Sequence, residues 1–273
     1  MTTRLAVLML AAVPLAAGPR VPAAQTPQPV MPHVIAADVP QYPRSAAQSG
    51  QSGTFSIGLQ TDGQRVTNAR LNSSAGESPV LREAALANVR TWRFTPHPPT
   101  GVVVFFRFTI VDRPCDRLGR DTHNTAVIRF PTSVELFAER DPECPGATRP
   151  PPVFGIYVIS ALVPVFPPAA LAKGVDGDVT ISMTYKNVLS VVEAPDALGE
   201  PIMDVIREKW QYNAAPYLEE LRFKFRLEEG ECRGGPDVVV GPGLTSYEIK
   251  DRRACAQKSP ATLLPLPVVA RAR

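Results

Sequence analysis

The sequence predicts an α+β protein built from two tandem copies of an α-β-β-α-β unit, each a three-stranded antiparallel sheet packed with two helices. Three observations carry this. Residues 35 to 43, IAADVPQYP, recur as ISALVPVFP at 159 to 167, a constant offset of 124. Gly50, Gly53, Phe55, Ile57 and Leu59 meet Gly174, Gly177, Val179, Ile181 and Met183 at the same offset, which marks an internal repeat. The offset drifts to 118 between Trp92 and Trp210 and to 117 between Phe106, Phe108, Ile110 and Phe223, Phe225, Leu227. In both copies an alternating strand pattern is followed by a helical one and then by a second alternating run.

The first element of each copy is a single helical turn after the Tyr-Pro or Phe-Pro step, clearest in PPAALAKG at 167 to 174. Phe55, Ile57 and Leu59 then alternate with Ser56, Gly58 and Gln60, the period of a half-buried strand. Asp62-Gly63 signals a hairpin turn, Val66 to Leu71 the returning strand, and Lys186-Asn187 takes the turn in the second copy. Leu81, Ala85, Val89 and Trp92 line one face of a helix, with Ser78 and Pro79 suited to its start and Pro96, Pro98 and Pro99 stopping any continuation. The run VVVFFRFTIV, Val102 to Val111, is a strand by its β-branched and aromatic content. Val104, Phe106, Phe108 and Ile110 form its core face, with Val103, Phe105, Arg107 and Thr109 outward. In the second copy Leu221, Phe223, Phe225 and Leu227 face the core, and Arg222, Lys224 and Arg226 face outward. Basic outward residues on an edge strand have two readings, protection against edge-to-edge aggregation or a docking edge.

The expected organisation is a signal peptide at 1–23, a first domain at 35–115, a disulfide loop and Pro-rich linker at 116–152, a second domain at 153–232, and a disulfide loop and tail at 233–273. Little regular structure is expected beyond the second disulfide. VFGIYVISAL, Val153 to Leu162, is too short to span a membrane and reads as a buried strand entering the second copy. Arg4 precedes a 13-residue apolar run, Leu5 to Ala17, interrupted by Pro14 and followed by small residues suited to cleavage after Gly18 or Ala23. The alternative is retention of this run as an inner-membrane anchor. At 44% hydrophobic and 20% charged residues the chain lies far from the disordered range. Removing residues 1–23 takes away two arginines and no acid, lowering the formal charge from +3 to +1, so charge gives no argument for nucleic acid.

Cys115, Cys144, Cys232 and Cys255 are an even set in an exported chain, and pairing of Cys115 with Cys144 and of Cys232 with Cys255 is expected. A metal site with His123 is the rival reading, but the chain has no Cys-x-x-Cys pair. No cofactor or metal is expected, and no catalytic residue: the chain has no Gly-x-Ser-x-Gly elbow, phosphate-binding Gly-Lys loop or His-Glu-x-x-His helix. His33 and His97 lie in linker and proline-turn contexts, where solvated side chains are the default.

QYPRSA at 41 to 46, GTFSIGLQTDGQRV at 53 to 66, SSAG at 73 to 76 and LREAALANVRTWRFTP at 81 to 96 resemble the C-terminal domain of TonB, the energy transducer of Gram-negative bacteria. The Trp-Arg-Phe-x-Pro signature, Trp92 to Pro96, is the most specific part. The second copy looks similar but degenerate, with Trp210-Gln211-Tyr212 and Phe166-Pro167 at the matching places. The resemblance implies partner binding by strand addition: TonB proteins pair with an extended segment of an outer-membrane transporter through the Gln-Tyr-Pro stretch and the last strand of the sheet. Carried over, this points to Gln41, Tyr42 and Pro43 and to the strand Val102 to Val111, with Trp92 and Phe94 in the core. The implied partner is an outer-membrane TonB-dependent transporter or another envelope protein, met in the periplasm, and a homodimer through the sheet edges is a further candidate. A membrane-anchored transducer and a purely structural interaction module are the alternatives.

Overall fold

A computed structural model describes residues 32–76, 78–115, 124–140, 144, 158–183, 189–212, 219–231, 234–253 and 255. In the first half, β1 (Val34–Ala36) leads to the short helix α1 (Arg44–Gln48) and then to β2 (Gly53–Thr61) and β3 (Val66–Ala75). Helix α2 (Pro79–Arg90) follows, then β4 (Arg93–Phe94), β5 (Gly101–Asp112), β6 (Asn124–Arg129) and β7 (Ser133–Arg140). The second half repeats this order as β8 (Val158–Ser160), α3 (Pro168–Lys173), β9 (Gly177–Met183), β10 (Leu189–Glu193), α4 (Gly199–Lys209), β11 (Gln211–Tyr212), β12 (Glu219–Glu228), β13 (Asp237–Val240) and β14 (Ser246–Arg252).

The local reasons are those the sequence states. Ser78 caps α2, its hydroxyl accepting from the Leu81 amide at 3.3 Å, and Pro79 opens the first turn. Leu81, Ala85 and Val89 are fully buried, so the helix stripe faces the sheet. Gly63, at φ 104°, makes the turn between β2 and β3, and a Cβ there would lie 2.3 Å from the His97 carbonyl oxygen. The Asp62 carboxylate accepts from the Gln64 and Arg65 amides at 2.9 and 2.8 Å, which holds it below its ordinary range. The turn expected at Lys186-Asn187 lies outside the described residues.

The architecture departs from the expected pair of separate sheets. The three-stranded groups are present, as β3-β2-β5 and β10-β9-β12, but both belong to one ten-stranded sheet of order β10-β9-β12-β14-β13-β6-β7-β5-β2-β3. The segments expected to be disulfide loops, within 116–152 and 233–273, supply its centre, the hairpins β6–β7 and β13–β14. In each half the hairpin's second strand lies parallel beside the last strand of the three-stranded group. Pairing starts at Phe105 with Ser133 and at Arg222 with Ser246, where Phe105 and Arg222 are related by the 117-residue offset and the two serines by 113.

The halves meet across an approximate two-fold relation within the chain. β6 and β13 are antiparallel, with Ile128 opposite Val238, Val127 opposite Val239 and Ala126 opposite Val240. A second crossing reproduces the symmetry: the Val39 amide donates to Ala161 O at 2.8 Å and the Val163 amide to Ala37 O at 2.7 Å, the two bonds exchanged by the 124-residue offset. The core is correspondingly one cluster, running from Phe55, Ile57 and Phe106 through Ile128, Leu136 and Val238 to Phe223 and Phe225. Among the described residues no helix is long and apolar enough to cross a membrane.

Candidate partner-binding interface

The Gln41-Tyr42-Pro43 step is built into the structure rather than offered from it. Tyr42 is buried, packs edge-on against Phe108 with ring centroids 5.3 Å apart, and donates its hydroxyl to the Gln51 carbonyl. Burial raises its phenol above the ordinary value. The Gln41 side-chain amide donates to the Ile159 carbonyl at 2.9 Å, tying the two halves together, and Pro43 stands at the start of α1. A partner would have to dislodge these contacts to reach the Tyr42 side chain. Trp92 and Phe94 are core, as expected, at 0% and 1% exposure.

Val103, Phe105, Arg107 and Thr109 do point away from the helices. Phe105 and Val103 are 54% and 47% exposed, and Arg107 lies beside Glu135 of β7. Opposite Val103 sits Gly58, over which the Asn72 side chain is folded, since a Cβ on Gly58 would fall 2.9 Å from it. But β5 is not an edge. It pairs with β2 along 101–108 on one side and with β7 along 105–112 on the other, so most of its main-chain groups are already used. The strand carrying Arg222, Lys224 and Arg226 is likewise enclosed, between β9 and β14. Arg222 pairs with Glu220 at 2.7 Å and Arg226 with Asp178 at 2.5 Å, while Lys224 has Asp178 and Glu248 as its register neighbours. Both expected docking strands are therefore interior strands with solvated outer faces.

The closure of β5 is reinforced at its far end. Cys115 is bonded to Cys144, closing the loop that holds β6–β7. Arg113, 8% exposed, pairs with Glu139 at 2.7 Å, and Arg140 pairs with Asp112 at 2.8 Å. The second expected disulfide involves Cys232, which lies outside the described residues. Cys255 is buried and disulfide-bonded.

Among the described residues, the unpaired edges of the large sheet are β3 and β10. β10 is five residues long with one register shift against β9. β3 is ten residues long with two shifts against β2, and its outer side is open after an isolated bridge between Arg65 and Arg93. Arg65 and Arg70 are exposed and form no ion pair among the described residues.

A further cluster escaped the sequence reading. His33, expected to be solvated, lies 3.8 Å from Asp251 of β14, whose side chain is 2% exposed. Burial lowers the His33 value, against the pull of the Asp251 carboxylate, and burial raises that of Asp251. Cys255 approaches the same two side chains, but its sulfur is committed to a disulfide and is no metal ligand. Candidate His123 lies outside the described residues.

Comparison with known proteins places one relationship on this geometry. Residues 38–111 match the family model described as Gram-negative bacterial TonB protein C-terminal, a span running from just after β1 through nearly all of β5. Protein TonB of Vibrio cholerae is 36% identical over 91 residues, covering 31% of this chain and 36% of that protein. The chain thus spans about a third of the length of the curated relative it matches. No solved structure gives a significant match.

Proposed function

We propose that this chain is a TonB-type protein of envelope transport, exported to the periplasm, that binds an extended segment of an outer-membrane TonB-dependent transporter or another envelope protein by strand addition and catalyses no reaction. The observation that carries the reading is the match of residues 38–111 to the TonB C-terminal family, coincident with a unit whose Trp92 and Phe94 are buried as that signature implies. The second half is a degenerate second copy, a reading supported by its repeated element order and by the parallel pairing of β7 with β5 and of β14 with β12. The apolar run Leu5 to Ala17 is a cleaved signal peptide in this proposal, and mass determination of the N-terminus of the exported chain tests it. The binding function is tested by titrating the exported chain with synthetic peptides covering the periplasm-facing segments of candidate transporters. Saturable binding to at least one is expected, and no binding to any of them overturns the function.

A purely structural module is the second reading. It draws on the closure of β5 and β12 by the chain's own hairpins, which leaves the strand used in the family without an open side.

A further inference from the structure

We infer that the docking edge of this protein is β3, and that the segment it accepts is an extended strand bearing acidic side chains. The inference rests on the proposed strand-addition function and relocates it. Strand addition needs a run of unpaired main-chain N–H and C=O groups. β5 and β12 offer no such run of comparable length, because β7 and β14 lie along them in parallel register for eight of twelve and seven of ten residues. The sheet therefore ends, among the described residues, at β3 and β10.

Between these two edges length and charge decide. β3 presents Val66–Ala75, twice the length of β10, and its side chains are exposed along most of that run. It carries Arg70, with Arg65 just before it, and no acid. Two carboxylates flank it in sequence: Glu77, which lies outside the described residues, and Asp62, which is turned onto the amides of Gln64 and Arg65. The strand itself is therefore cationic.

The two register shifts and the arginine are also what blunts an edge against aggregation, and that explanation leads to the same partner. Pairing β3 with the β3 of a second copy would bring like charges together, and a neutral strand gains nothing from them. An acidic strand is attracted by the charge that repels the others, so the protective feature acts as the selectivity filter.

The test uses the full exported chain and two synthetic ten-residue probes, one alternating valine and glutamate, the other valine and lysine. Fluorescence anisotropy reads affinity and amide hydrogen exchange reads location. The glutamate peptide is expected to bind and to slow exchange in residues 66–75 while leaving β5 and β7 unchanged. R65E/R70E is expected to weaken it on the order of tenfold and to favour the lysine peptide instead. R65Q/R70Q, which removes charge without reversing it, covers the case of a misfolded reversal and is expected to remove the preference. Three results overturn the inference: protection falling on β5 and β7, equal affinity for the two peptides, or concentration-dependent self-association that R65E/R70E abolishes, which would assign β3 to a second copy. Binding of the glutamate peptide at β3 without binding of any transporter segment would sink the transport function and leave the docking edge standing. Transporter binding without protection of β3 would do the reverse.

Discussion

The two halves of the chain share a topology but not its polar fittings. In the first half the Trp92 indole N–H donates to Asn88 Oδ1 at 3.1 Å, and the Asn88 amide donates to the Asp38 carbonyl at 2.7 Å. The helix, the signature tryptophan and the segment after β1 are thereby clasped. One turn before Trp210 the second half has Ile206, and the buried Trp210 N–H has no partner among the described residues. Tyr42 bonds the Gln51 carbonyl, whereas Phe166 at the equivalent place keeps only a ring contact with Phe225, 5.0 Å between centroids. Ser78 caps α2, and Leu198 precedes α4 with no side-chain cap. The second half has the shape of the first without its directional bonding. A half that needs only to fill a core tolerates that, because apolar volume is more replaceable than a satisfied buried hydrogen bond.

The largest effect should separate the two tryptophans. Trp→Ala in a core costs about 3–5 kcal/mol. W92A should lie at the upper end, because it also strands Asn88 Oδ1 in a partly buried site. W210A should lie at the lower end, since it deletes an indole N–H that is already unpaired. Urea unfolding of both variants checks the order, and W210A costing as much as W92A breaks the comparison.

The polar clasp can be probed next without removing the ring. N88A leaves the Trp92 N–H and the Asp38 carbonyl without their partner and should cost about 1–3 kcal/mol. Indole fluorescence followed through urea unfolding reads the stability loss and the altered Trp92 environment together. A cost near zero would mean that the first half is no better fitted than the second. S78A is a smaller change: loss of the cap on α2 should cost about 1 kcal/mol, seen as a lower urea midpoint with unchanged slope.

Much of the fold was legible because it is local. The alternation in Phe55, Ile57 and Leu59 and the stripe on α2 are short-range patterns, and each appears where expected. The ten-stranded sheet was not legible, although its signals were present. Ala126 and Ile128, Val134, Leu136 and Ala138, Val238 and Val240, and Tyr247 and Ile249 all alternate with period two and are all buried. They lie in short runs among prolines and glycines, and nothing local says that β7 will close β5 in parallel. Hence the outward faces of β5 and β12 were read correctly and their availability was not: facing is set by the strand's own period, edge status by a partner far along the chain. Asp251 illustrates the same limit. It holds the core-facing place after Tyr247 and Ile249 in β14, and only the fold brings His33 to it.

That pair supplies the smallest prediction and joins the two halves, since His33 precedes β1 and Asp251 belongs to β14, while the Val34 amide donates to Gly234 O at 3.1 Å. Burial holds His33 below the ordinary 6.5, so as pH falls through that value the unfolded chain takes up the proton first and stability declines. Asp251 acts with the opposite sign: its value is raised above 3.8, so the folded chain keeps its proton to higher pH, and ionisation as pH rises costs stability. Arg252 and Asp237 add opposing charges beside it. H33Q should therefore flatten the stability profile just below pH 6.5, by at most about 1.4 kcal/mol per pH unit, the limit for one proton. D251N should retain that slope, because removing the carboxylate takes away the attraction that raises the imidazole and leaves its burial in place. Urea unfolding between pH 5 and 7 distinguishes the two variants. A profile unchanged in H33Q would mean that the contact between the halves holds His33 no differently from the unfolded chain.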